Sequence, residues 1–204
     1  MPELLNEAGD RITYRPHRQE DRDQEFEAVC KLHPEMRVEM DQYGNIIVMP
    51  PGSPDSGFHS GEVLAQVAAW TKKDGTGRAF DSSTVWSLPD GSKMSPDASW
   101  APKTALRQLG KSALRSISKA YLCPPFVIEV RSPTDSLQDQ KAKCGQWVRN
   151  GAQEVFLIDP ENRTVFCFHP SAEIQVIEDV HQVPSRFLKD FVLECDPIWE
   201  ELVD

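Results

Sequence analysis

The run Phe126-Val-Ile-Glu-Val130 constrains this chain more than any other segment. A short apolar stretch of strand formers, preceded by Pro124-Pro125 and followed by Arg131-Ser-Pro133, reads as a buried central strand. Its fourth residue, however, is a carboxylate. A charge withdrawn from water costs several kcal/mol unless a cation, a metal or a proton meets it. Glu129 therefore needs a partner, and Arg131 is one candidate for an ion pair. The alternative is a strand whose Glu129 face meets solvent.

The surrounding pattern is that of a mixed fold. After the Glu129 strand, Thr134 or Asp135 is placed to cap a helix running to about residue 150, with Gly151 at its C-terminal end. Residues 154–158 form a second strand, Asp159-Pro-Glu-Asn162 a turn, and residues 163–168 the returning strand, with an edge strand at 174–178. Asp196-Pro197 opens a short final helix. Upstream, a helix is expected over 21–31, and a hairpin over 36–41 and 45–49 around Tyr43-Gly44-Asn45. A second helix is expected over 56–73. A further hairpin, 79–88 with 93–100, turns at Pro89-Asp-Gly-Ser92, and a helix follows over 104–120. Strands and helices alternate irregularly, so the fold class is α/β with a mixed β-sheet flanked by helices.

With 204 residues, 39% of them hydrophobic, the chain can bury the core of one domain, 1–204, in which residues 1–19 form a loosely ordered arm. Its 16 prolines are spread out and mark no linker. The five cysteines contain no C-x-x-C and the five histidines no close pair, which excludes the usual zinc spacings and suits a reducing compartment. No G-x-S-x-G motif or phosphate-cradling glycine loop is present. The start lacks a signal-peptide pattern, and no apolar run approaches the ~20 residues that span a bilayer, so a cytoplasmic protein without membrane association is expected.

Net charge is −10, which argues against a protein that coats nucleic acid. The distribution is uneven. Residues 98–128 contain no acidic residue, while Lys103, Arg107, Lys111, Arg115 and Lys119 recur at every fourth position. On one helix these would form a basic stripe, either a phosphate-tracking face or an ordinary solvated one.

Asp97 lies in Ser95-Pro-Asp97-Ala-Ser-Trp100. Pro-Asp alone is a common turn dipeptide. Together, however, Phe80-Asp-Ser-Ser83, Ser95-Pro-Asp97, Ile128-Glu-Val-Arg-Ser-Pro133, residues 139–143 and Leu157-Ile-Asp-Pro160 resemble the motifs of the PD-(D/E)XK nuclease superfamily. They are most similar to its family of small stand-alone proteins described as putative restriction endonucleases. The resemblance spans about residues 37–160. It implies a restriction-endonuclease-like core over 36–168, with additional N-terminal and C-terminal β-hairpins. It also implies that Asp97 and Glu129 bind Mg²⁺ or Mn²⁺ and that Glu62, on the preceding helix, is an auxiliary acid. The residue types suit this chemistry, because a hard cation prefers oxygen ligands and keeps several waters.

The superfamily's Glu-x-Lys reads Glu129-Val130-Arg131 here. Arginine stays protonated and cannot act as a general base, although it can clamp a phosphate. The resemblance places the lysine instead on the following helix, at Lys143 in preference to Lys141. The activity implied is metal-dependent hydrolysis of DNA phosphodiester bonds, with DNA as substrate and Lys103, Arg107, Lys111, Arg115 and Arg131 as phosphate contacts. A homodimer is expected because nucleases of this fold often cut as pairs. The alternatives are a nuclease-fold nucleic-acid-binding module without turnover, and a structural protein in which Arg131 or Lys143 neutralises Glu129.

Overall fold

The computed structural model describes residues 3–8, 11–16 and 21–203. Along the chain run β1 (Glu3–Ala8), β2 (Arg11–Arg15), α1 (Arg22–Leu32), β3 (Arg37–Met40), β4 (Ile46–Met49), α2 (Pro54–Asp74), β5 (Gly77–Asp81), β6 (Trp86–Ser87), β7 (Lys93–Met94), β8 (Ala98–Pro102) and α3 (Lys103–Ala113). Then follow β9 (Phe126–Val130), α4 (Leu137–Arg149), β10 (Glu154–Asp159), β11 (Thr164–Phe168), β12 (Gln175–Glu178), β13 (Gln182–Pro184), β14 (Val192–Glu194) and a 3-10 turn, Asp196–Ile198. These elements divide between two units. One comprises Met1–Gly52, Ser83–Ser95 and Arg107–Leu122; the other comprises Ser53–Ser82, Pro96–Leu106 and Cys123–Asp204.

The first unit holds a sheet in the order β1-β2-β4-β3-β7-β6. Phe26 of α1 is buried with Val38, Met40 and Ile46, and Tyr14, Val29 and Cys30 pack around them. Gly44, at φ 82°, supplies the left-handed residue that the turn before β4 requires. Residues 1–19, expected as an arm, correct to the hairpin β1–β2 within the described residues; residues 1, 2, 9, 10 and 17–20 lie outside them. The cause is the alternation Ile12, Tyr14 in β2, which pairs with Val48 and Ile46 of β4.

The second unit holds the sheet β12-β11-β10-β9-β8-β5. β9 and β10 run parallel, and the other neighbours are antiparallel. The mixed sheet expected from the sequence is therefore present. Because side chains alternate across a strand, each strand supplies two layers. On one face Ala98, Trp100, Phe126, Ile128, Phe156 and Ile158 join Val63 and Val67 of α2, and Leu188, Phe191, Leu193 and Ile198 close this core. α4 covers the opposite face and buries Cys144 and Trp147.

Local chemistry accounts for the helix ends. The Ser53 hydroxyl accepts the Ser56 N–H at 3.2 Å to cap α2, and Gly75 in the left-handed region terminates it. At Gly77 a Cβ would stand 2.2 Å from the Trp100 ring, so only glycine permits this approach of β5 to the core. α4 is capped by Ser136, which accepts the Asp139 N–H at 3.4 Å, and not by Thr134 or Asp135. Asp135 is already committed, accepting the Ser132 N–H at 3.2 Å.

Two further expectations change. The hairpin expected over 79–100 is two nested pairs: β6 with β7 in one sheet, and β5 with β8 in the other. The helix expected over 104–120 ends at Ala113 and is interrupted by Gly110 at φ 77°, ψ 163°, a conformation no helix contains. The five basic residues therefore do not share one helical face. Among the described residues, no helix is long and apolar enough to cross a membrane.

Candidate active site

The register of β8 against β9 pairs Ala98 with Ile128. The next residues outward, Asp97 and Glu129, are consequently neighbours across the two strands, on the face that α4 covers. Both are buried, Asp97 at 8% exposure and Glu129 at 2%. The Asp97 carboxylate accepts the Val130 N–H at 2.7 Å, which ties the Pro96-Asp97 segment to β9. Two carboxylates are thus held side by side by backbone geometry.

α4 supplies the cation. The Lys143 Nζ stands 3.0 Å from Glu129 Oε1 and 3.1 Å from Oε2, with 18% of its side chain exposed. One turn later, the fully buried Trp147 donates its indole N–H to Glu129 Oε1 at 2.7 Å. Cys144, between them in sequence, is also buried. Burial, and then the negative charge of Glu129, hold its thiol well above the usual range, so it stays protonated and inert.

The remaining candidates lie in different settings. Lys141 points its ammonium over the Phe166 ring at 4.1 Å, so Lys143 and not Lys141 reaches Glu129. Arg131, the alternative partner for Glu129, serves another acid: one guanidinium nitrogen bridges the Asp159 oxygens at 3.1 and 2.9 Å, and Nε donates to the Asp135 carbonyl at 3.0 Å. Glu62 is half-buried on α2 and accepts the Gln66 amide at 3.1 Å. Lys103 donates to the Gly75 carbonyl at the end of α2, which suits the negative end of that helix. Arg107, Lys111, Arg115 and Lys119 are exposed.

Residues 23–195 match the Uma2 family, whose description is "Putative restriction endonuclease". The chain belongs to the Uma2 family. A solved structure described as a putative nuclease belonging to DUF820, from Anabaena variabilis, is similar to this Uma2 chain at 23% sequence identity, with a TM-score of 0.66 over 79% of this chain and 89% of that one. That likeness establishes the nuclease-like mixed α/β fold. No curated protein matches the sequence.

Asp97 and Glu129 offer oxygen donors, the ligand type that a hard divalent cation takes. Among the described residues no group of three or more His, Cys, Asp and Glu could hold a metal. A cation held by two carboxylates would take its remaining ligands from water and substrate oxygens, as is usual for Mg²⁺. Trp147 was not among the residues expected from the sequence. The spacing Lys143-x-x-x-Trp147, which stacks both side chains on one helical face, was the available signal.

Proposed function

We propose that this protein is a metal-dependent endodeoxyribonuclease in which Asp97 and Glu129 hold Mg²⁺ or Mn²⁺ and Lys143 serves the phosphate. The observation that carries the reading is the buried pair Asp97 and Glu129, neighbours across β8 and β9, with the Lys143 ammonium on Glu129. A bound cation supplies a lowered pKa for its water and neutralises charge developing on phosphorus.

The chain's own groups do the rest. Glu129 and Asp97 come from adjacent strands of one sheet, so little reorganisation is needed to present their oxygens together. Lys143 balances the Glu129 charge before a cation arrives. Its flexible stem then lets the ammonium turn to a phosphate oxygen or orient the attacking water. Arg131, held by Asp159, keeps the Glu129 strand in register with its neighbour, and Glu62 is the auxiliary acid. Arg107, Lys111 and Arg115 contact the DNA backbone. The protein works as a homodimer, one site per strand, in the cytoplasm, where its five free cysteines suit a reducing environment.

The test is cleavage of supercoiled plasmid with Mg²⁺ or Mn²⁺. Cleavage should stop on chelation and fall about a thousandfold in Asp97→Asn and Glu129→Gln, since metal assistance is worth several kcal/mol and about 1.4 kcal/mol is tenfold. A second reading, a DNA-binding module without turnover, is favoured by arginine at the Glu-x-Lys position. It predicts DNA affinity without cleavage. Neither affinity nor cleavage would leave only the structural role of Glu129.

A further inference from the structure

Two of the donors to Glu129 differ in character. Lys143 is charged, flexible and partly exposed, and it reaches both oxygens, at 3.0 and 3.1 Å. Trp147 is neutral, fully buried and locked by packing, and its single N–H is committed to Oε1 at 2.7 Å. The backbone behind it is fixed as well: the Trp147 carbonyl accepts from Asn150 at 3.2 Å and Ala152 at 3.1 Å, and from the Cys123 thiol at 3.5 Å.

These facts assign different tasks to the two donors. A lysine on a carboxylate competes with an incoming cation for the same negative charge. An indole does not, because it brings no charge. It consumes one lone pair of Oε1 and fixes the plane of the group. We infer that Trp147 is a positioning residue, holding Glu129 oriented so that its carboxylate is presented toward the Asp97 side for a divalent cation. This rests on the metal-dependent reading above. Carboxylate ligands are ordinarily oriented by a hydrogen-bonding shell behind them, and loss of such a partner typically costs roughly 10- to 100-fold in metal affinity.

The inference is tested by calorimetric Mn²⁺ titration of the wild type and Trp147→Phe, together with ¹⁵N spectra of the five indole N–H groups in wild type and Glu129→Gln. Phenylalanine keeps an aromatic ring and removes the donor. The expected result is Mn²⁺ affinity weakened roughly 10- to 100-fold in Trp147→Phe, and one indole signal, low-field and slow to exchange in the wild type, that shifts in Glu129→Gln. Equal Mn²⁺ affinity in the two proteins would overturn the inference and leave the nuclease reading intact. No Mn²⁺ binding by the wild type would remove both. Should Trp147→Phe fail to fold, the indole spectra still decide, since five signals unmoved by Glu129→Gln would overturn the assignment.

Discussion

Two glutamates, Glu129 and Glu154, stand buried on the adjacent parallel strands β9 and β10, at 2% and 0% exposure. Their surroundings differ completely. Glu154 accepts the Arg186 N–H at 2.8 Å, the Phe187 N–H at 3.5 Å, the Ser185 hydroxyl and the His169 ring at 2.9 Å. Backbone and short side chains surround it, and they pin the segment after β13 to the sheet. Among the groups around Glu129 are a second carboxylate, an indole and a lysine on a flexible stem. Burial of a charge alone therefore does not mark a site. A carboxylate enclosed by fixed donors is structural, whereas one balanced by a movable cation beside another acid is available for chemistry.

The comparison breaks most directly through stability. Glu154→Ala should destabilise the fold by about 3–5 kcal/mol, because several buried donors lose their acceptor together. Its chemical-denaturation midpoint should fall while Mn²⁺ affinity per folded molecule stays unchanged. Lys143→Ala should cost less, about 2–4 kcal/mol at neutral pH, since it removes the ammonium paired with the buried Glu129. Adding Glu129→Gln to Lys143→Ala should recover most of that loss. A double variant as unstable as the single one would show that the ion pair does not set the energetics of this face.

Alkaline pH sharpens the same contrast at smaller scale. Each glutamate has a buried thiol near it. Burial and then Glu129 raise Cys144, while burial and then Glu154 push Cys167 up to about 12. Burial also pushes Cys195 up to about 12 and Cys30 to about 11. An unfolded thiol ionises near 9, so the native chain binds the extra protons above that pH. Their contribution is fully present below pH 9 and is lost as pH rises toward 11–12, least for the half-buried Cys30. Urea melts between pH 8 and 11 would reveal this decline, and a flat profile would contradict it. The smallest effect is expected at the surface. Lys111→Glu with Arg115→Glu should change stability by only about 0.5 kcal/mol per site, yet flatten the salt dependence of DNA binding by about one unit of slope per lost phosphate contact.

What the sequence made legible follows the range of the interactions. β9, α4, β10 and β11 were readable because each is a local pattern bounded by prolines, caps or turns. The pairing of Asp97 with Glu129 was readable only through motif resemblance, since cross-strand adjacency is a long-range fact. The nested pairs within residues 79–100 were not readable: Pro89-Asp-Gly-Ser92 signals a turn without saying that the strands flanking it continue into different sheets. The overlong α3 came from the apolar spacing of Leu106, Leu109, Ala113 and Ile117, which continues past Gly110, whose φ of 77° interrupts the helix. Glu154 escaped notice because it begins its strand, where an acidic residue looks solvated. Trp147 reads as ordinary core packing until its N–H is seen on Glu129.

Asp97 and Glu129 are proposed to form one cation site. A calorimetric Mn²⁺ titration of the wild type beside Asp97→Asn and Glu129→Gln tests it without a choice of substrate. Saturable binding in the wild type, lost in both variants while Glu154→Gln retains it, is the predicted result. No binding in the wild type, or binding that survives in both variants, would contradict it.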